Sequence, residues 1–204
     1  MESVKIWREM RRPNARPPFA YQDLPDSERL SYRLLAWENF RAFLDLFGDD
    51  SSPFVDERFK SLEKLEEYAS ALLESGRYSF KHGCCDWLIS RHDGTCIGVL
   101  HLYELNMEIW DGKHRPCMFG YAIAEPYRRQ GYGWEAARHL LGHIPPVFSR
   151  YEVMAEPRID NKPSRNLLEK LGFIEKRLLH DKQSSFWYRK LVEGEIPEAK
   201  ADWD

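Results

Sequence analysis

The stretch "FGYAIAEPYRRQGYGWEAA", Phe119 to Ala137, decides how this chain folds. Phe119, Tyr121 and Ile123 alternate with Gly120, Ala122 and Ala124, the period of two expected of a strand with one bulky and one thin face. Pro126 ends the alternation. After Arg128, Arg129, Gln130, Gly131, Tyr132 and Gly133 a helical spacing begins, with Trp134, Ala137, Leu140 or Leu141 and Ile144 on one side. Glycines let backbone approach a ligand, and the first N–H groups of a helix offer unpaired donors and a positive partial charge to an anion. With two arginines in the loop, the segment reads as a phosphate cradle; its plain alternative is a tight corner that needs glycine.

The rest of the chain fits around this strand–loop–helix. Before it, "RLSYRLL" (Arg29 to Leu35) alternates as a half-buried strand. Helical spacing follows over Trp37 to Phe47, ended by Gly48, and again over Ser61 to Glu74, stopped by Gly76. "DWLISRHDGTCIGVLHLYEL" (Asp86 to Leu105) holds two apolar runs joined by Asp93-Gly94, a hairpin signal. A polar loop covers Asn106 to Arg115. After it, the helix from Gly133 is expected to run to His143 and close at Pro145-Pro146. "RYEVMAE" reads as a strand, "KPSRNLLEKLGF" as a short helix capped at Gly172, and "SSFWYRKLV" as a last strand. The order implies a mixed α/β (α+β) plan around one sheet, with an arm at 1–27, one domain at 28–192 and an acidic tail at 193–204.

Composition narrows the function. In 204 residues the formal net charge is -3, which argues against a general nucleic-acid binder, and no apolar run approaches the length of a membrane span. The polar first residues do not read as a secretory signal, so the expectation is a cytoplasmic protein. Cys84, Cys85, Cys96 and Cys117 lack metal or redox spacing and read as reduced thiols. The seven histidines are scattered, and no metal is expected.

Two phosphate motifs are tested against the loop. A P-loop requires lysine and then serine or threonine after its last glycine, whereas Trp134 follows Gly133. The dinucleotide fingerprint is matched by Gly131, Gly133 and Ala136, with Glu152 about 20 residues on. Its context is wrong, because Pro126 to Gln130 separate the strand from the first glycine.

"RRQGYG" (Arg128 to Gly133) resembles instead the Q/R-x-x-G-x-G/A pyrophosphate loop of the GCN5-related N-acetyltransferases (GNAT). "NKPSRNLLEKLGF", Asn161 to Phe173, is similar to the N-x-x-S…LGF element of the same superfamily. With "RLSYRLL…WENF" ahead of them, the pattern is closest to the RimJ/RimL-like branch and spans Glu28 to Val192. The resemblance implies a twisted, mostly antiparallel mixed sheet flanked by helices and splayed at the acetyl-CoA strand. It implies acetyl-CoA as cosubstrate and an amine as acceptor, either a protein N-terminus or a small molecule, with a homodimer left open.

The resemblance also assigns residues. Cofactor contacts fall on Ala122, Ile123 and Ala124 of the strand, on Arg128, Arg129, Gln130, Gly131, Tyr132, Gly133 and Trp134 of the loop, and on Asn161 and Ser164. Ser164 takes the place of the acid that protonates the leaving thiolate. Many members carry a tyrosine seven residues after the asparagine, but this chain has Leu168. That leaves Ser164, or a hydroxyl such as Tyr188, as acid, and it is the feature that favours an inactive acyl-CoA-binding module. Glu104, Glu152 and Glu156, on or near sheet segments, are the candidate bases.

Overall fold

The computed structural model describes residues 23–73, 83–105, 116–148, 152–178 and 183–192. The polar loop expected at Asn106 to Arg115, the Gly76 helix stop, the acidic tail and the first part of the arm lie outside them. Among the described residues seven strands form one sheet in the order β1-β2-β3-β4-β5-β7-β6. They are β1 (Leu30–Leu34), β2 (Cys84–Arg91), β3 (Cys96–Tyr103), β4 (Cys117–Ile123), β5 (Glu152–Ala155), β6 (Ile174–Leu178) and β7 (Ser185–Lys190). The helices are α1 (Ala42–Phe47), α2 (Leu62–Leu73), α3 (Tyr132–Phe148) and α4 (Lys162–Lys170), with a 3₁₀ turn at Glu57–Phe59. All pairings are antiparallel except β4 with β5. The mixed α/β plan read from the sequence is therefore the plan of the fold.

Period-two alternation divides the core in two. Leu30, Tyr32, Trp87, Ile89, Leu100, Leu102, Phe119 and Ile123 pack on one face with Ala137, Leu140 and Ile144 of α3 and Leu168 of α4. Leu88, Val99 and Ala124 face the other way, onto Phe43 and Phe47 of α1, Phe59, and Leu65 and Leu72 of α2. The thin face of β4 is thus the face toward α1 and α2, and its bulky face lies under α3 and α4.

Among the described residues β4 and β5 pair only at Cys117↔Val153 and Met118↔Met154. Beyond Met118 they part, and the splay expected from the resemblance is present. Backbone groups alternate direction along a strand. Because the Ala124 N–H donates to the Ile97 carbonyl on the β3 side, Ile123 and Tyr121 turn their backbone groups toward the gap.

Three local readings change. The helix expected from Trp37 begins only at Ala42. Asn39 holds the preceding turn open: its Oδ1 accepts from the Ala36 N–H (2.8 Å) and its Nδ2 donates to the Leu34 carbonyl (3.0 Å), which competes with helical bonding. Pro145-Pro146 does not close α3, which continues to Phe148. Burial of Leu140, Leu141 and Ile144 against the sheet outweighs the local cost of the prolines. The third change is β6, absent from the sequence reading. Ile174 is 61% exposed and the three residues after it are charged, as suits an edge strand that lacks an alternating pattern.

The described residues ahead of β1 pack on the sheet and on α3. Leu24 is buried and bridges to Tyr32. Glu135 in the first turn of α3 accepts from Ser27 Oγ (2.7 Å), the Arg29 N–H (2.8 Å) and Arg29 Nε (2.6 Å).

Candidate active site

The loop between β4 and α3 contains two left-handed residues, Arg129 (φ 60) and Gly131 (φ 80). A non-glycine residue at positive φ is uncommon and marks a chain held in place by its surroundings. The bracing is visible. Gln130 Nε2 donates to the Pro126 carbonyl (3.0 Å), and Arg29 Nη1 donates to the Gln130 carbonyl (3.1 Å). Arg29 also lies 4.7 Å from the centre of the Tyr132 ring. The first helical bond runs from the Glu135 N–H to the Gly131 carbonyl (3.0 Å), so the N–H groups of Tyr132, Gly133 and Trp134 precede the helical ladder, as first-turn donors do. Here is a cradle of backbone donors suited to an anion.

Its two glycines serve different ends. Gly131 supplies the left-handed conformation. A Cβ on Gly133 would stand 3.2 Å from Tyr121 Cε2, 3.5 Å from Ile123 Cγ1 and 3.6 Å from Leu167 Cδ1, so this glycine lets α3 lie close to β4 and α4. The arginines also divide. Arg128 is turned inward: Nε donates to the Ile123 carbonyl (2.8 Å) and Nη2 to Asp50, whose side chain is 1% exposed. Arg129 is exposed. Trp134 lies beneath the Arg138 guanidinium, 5.1 Å from the ring centre.

Beside the loop, the gap between β4 and β5 opens into a cleft of about 210 Å³. Tyr103 and Gly120 line it from the α1 and α2 face, and Phe54 also lines it. Tyr121, Ser164 and Leu168 line it from the α3 and α4 face. The cleft therefore joins the two faces of the sheet at the splay, with Ala155, Glu156 and Asn161 along the β5 side.

α4 presents its N-terminus here. Asn161 caps it, Oδ1 accepting from the Ser164 N–H at 3.2 Å, and at the far end Gly172 (φ 76) donates to the Glu169 carbonyl and Phe173 to that of Leu168, a glycine stop as the spacing predicts. Ser164 and Tyr121 line the same part of the cleft. Burial pushes the Tyr121 phenol above its ordinary range and Ser164 offsets part of that rise, so the phenol is protonated, and a donor, at neutral pH. Tyr121 escaped the sequence reading as a hydroxyl because the alternation marked it as a bulky core residue. The same alternation places it on the face that α4 covers.

The carboxylates separate. Glu156 lines the cleft. Tyr103, also in the cleft, is pushed up to about 12 by burial, with Glu156 and then Glu104 adding to the rise. Glu104 follows β3 at φ 62. Glu152 instead accepts from the Tyr188 hydroxyl at 2.8 Å across β5 and β7. Neither residue lines the cleft, and both lie on the opposite side of those strands from buried Val153, Ala155 and Trp187. Tyr188 is raised to about 12 by desolvation and by Glu152. Among the described residues no group of histidine, cysteine and carboxylate side chains is placed to hold a metal, and the four cysteines are free thiols. No described helix is long and apolar enough to cross a membrane.

Known proteins share this fold. A family profile described as "Acetyltransferase (GNAT) domain" matches residues 29–174. An N-alpha-acetyltransferase of Sulfurisphaera tokodaii is 38% identical over 58 residues, 28% of this chain and 35% of that protein, so the match spans about a third of the relative. A putative ribosomal-protein-serine acetyltransferase from Vibrio cholerae superposes with a TM-score of 0.65 at 18% identity, over 85% of this chain and 98% of that one. A dodecameric spermidine N-acetyltransferase from the same organism does so at 0.63 and 16%, over 80% and 95%. These two likenesses concern the fold. With the profile covering most of the chain, including the splayed strand, the glycine loop and the capped helix, the protein belongs to the GNAT acetyltransferase family.

Proposed function

We propose that the protein transfers the acetyl group of acetyl-CoA to a primary amine, and that the amine is a protein or peptide N-terminus. The observation that carries this reading is the parting of β4 from β5 immediately beside the glycine loop. A diphosphate on the N–H groups of Gly131 to Trp134 leaves its pantetheine arm to run along the open edge of β4. The Tyr121 backbone groups and the Ile123 N–H there face the gap and can pair with it as a neighbouring strand would, while the Ile123 carbonyl is taken by Arg128 Nε. The thioester then reaches the cleft, where a backbone N–H from the β4 edge polarises its carbonyl. Arg129 adds positive charge at the loop surface, while Arg128 holds the loop to Asp50.

Ser164 and Tyr121 stand together on the α4 side as the proton donors for the departing thiolate. The tyrosine that many relatives carry on the helix is Leu168 here, and Tyr121 brings a phenol to the same cleft from β4. That substitution of position weakens the case for an inactive binding module. Glu156 places a negative charge in the cleft, suited to an ammonium group. The N-alpha-acetyltransferase match favours a peptide N-terminus.

Calorimetric titration with acetyl-CoA, with NADH and NADPH as controls, tests the cofactor; acetylation of N-terminal peptides and small polyamines tests the acceptor. Expected are binding of acetyl-CoA alone and turnover of peptides. For Ser164→Ala, kcat falls about 10²-fold with acetyl-CoA affinity retained. Binding of a nicotinamide nucleotide instead overturns the reading.

A further inference from the structure

We infer that His101, oriented by Asp86, is the base that takes the proton from the acceptor amine, an inference that rests on the acetyltransferase reading above. Asp86 is a buried carboxylate on β2, 1% exposed. A carboxylate in such a place must be paired and hydrogen-bonded. It is: the Tyr68 hydroxyl donates to one oxygen at 2.5 Å, and His101 Nδ1 donates to the other. This fixes the proton on Nδ1 and leaves Nε2 as the acceptor whenever the ring is neutral. A carboxylate behind one imidazole nitrogen is the arrangement that prepares the other nitrogen for proton abstraction.

The ring faces the right way. His101 pairs with Asp86 on β2 and with Gly120 on β4. Nδ1 points to β2. The opposite edge points to β4, where a Cβ built on Gly120 would stand 3.9 Å from His101 Cδ2. His101 is not itself a wall of the cleft; it stands one layer behind Gly120, which is, and because Gly120 carries no side chain, only its backbone separates the Cδ2–Nε2 edge from that space. Phe59 stacks on the ring at 5.5 Å and Phe43 packs at 6.3 Å, holding it in place with 19% of the side chain exposed.

The sheet assigns the two proton transfers to opposite faces. His101 stands on the α1 and α2 face; Ser164 and Tyr121 stand on the α4 face. An ammonium acceptor gives a proton to Nε2, directly or through one water, and its nitrogen forms the C–N bond with the thioester carbon. As the C–S bond breaks, the thiolate takes a proton from the Ser164 and Tyr121 pair. The second proton of the attacking nitrogen replaces the one that pair has given up, and His101 returns its proton to water. The products are the amide, the free thiol and one proton.

The charged and titratable groups around the ring come from each packed element. β2 supplies Asp86; α2 supplies Tyr68, held well above its usual range by burial and then by Asp86. The 3₁₀ turn supplies Arg58, 4.7 Å from the Tyr68 ring centre. Just before that turn stands Asp56, whose carboxyl burial would raise but which Arg58, with a smaller contribution from His101, holds below the usual range. α1 contributes apolar Phe43.

The test is His101→Asn, whose side-chain amide keeps a donor for Asp86 and removes the base. In wild-type protein that acetylates a peptide, the variant is expected to lose on the order of 10²- to 10⁴-fold in kcat/KM for the amine near neutral pH, with acetyl-CoA affinity by calorimetry unchanged. The deficit is expected to narrow as pH rises from about 7 to about 9, because the free amine no longer needs a base. Asp86→Asn, with the carboxylate gone, is expected to give a deficit in the same direction. An active wild type matched by His101→Asn, a deficit that stays constant with pH, or loss of acetyl-CoA binding in the variant each overturns the inference and leaves the acetyltransferase reading standing. A wild type that binds acetyl-CoA and acetylates no amine overturns both.

Discussion

The two faces of the sheet meet at the same cleft but are built from different materials. The α3 and α4 side consists mainly of backbone: a loop with two left-handed residues, the opening turn of α3, the open edge of β4 and a helix N-terminus capped by Asn161. Its side chains chiefly allow close approach, as Gly133 does beneath Tyr121. The α1 and α2 side consists of side chains gathered from far apart in the chain, with Asp86, His101 and Tyr68 linked around one buried carboxylate. A site made of backbone donors is written in contiguous sequence, because glycines, helix caps and alternation are local. One made of side chains across three elements is not.

The sharpest way to break this contrast is Gly131→Asp. A carboxylate on a left-handed residue in the cradle meets the incoming diphosphate with like charge, and acetyl-CoA affinity is expected to fall at least about 100-fold in calorimetry. Unchanged affinity would end the backbone-cradle account of that face.

The two arginines sharpen it next. Arg128→Ala leaves Asp50 buried without its cation and is expected to cost about 3 kcal/mol in urea unfolding. Arg129→Ala is expected to stay within about 0.5 kcal/mol of wild type in stability and to weaken acetyl-CoA about tenfold, as loss of a charge-assisted contact does. If Arg128→Ala leaves stability unchanged while abolishing cofactor binding, the division of roles is wrong.

The smallest expected effect belongs to Tyr103, on the α1 and α2 face. Its phenol is pushed from 10.0 to about 12, chiefly by burial, so the folded state holds the proton more tightly than the unfolded state. This contribution is full below about pH 10 and is lost as pH rises toward about 12, where the unfolded chain has already released its proton. Thermal unfolding should show Tm falling over that window, and less steeply in Tyr103→Phe. Equal slopes would mean that Tyr103 ionises as freely folded as unfolded.

What the sequence determined by itself was the order of the elements other than β6, the hairpin at Asp93-Gly94, the glycine loop and the Gly172 stop. Each depends on residues within a few positions of one another, where backbone sterics and local hydrogen bonds dominate. Tertiary structure decided the rest. It carried α3 through Pro145-Pro146 because the buried face of the helix outweighs the proline cost. It made a strand of Ile174–Leu178, whose pattern is unremarkable, because β7 offered an edge. It turned Arg128 toward Asp50 and left Arg129 exposed, though the two are neighbours of the same chemistry. It also set Tyr121 beside Ser164 and placed Asp86, His101 and Tyr68 together, pairings between residues 15 or more positions apart. Such pairings follow from strand register and helix docking, which the whole core fixes and no short segment encodes.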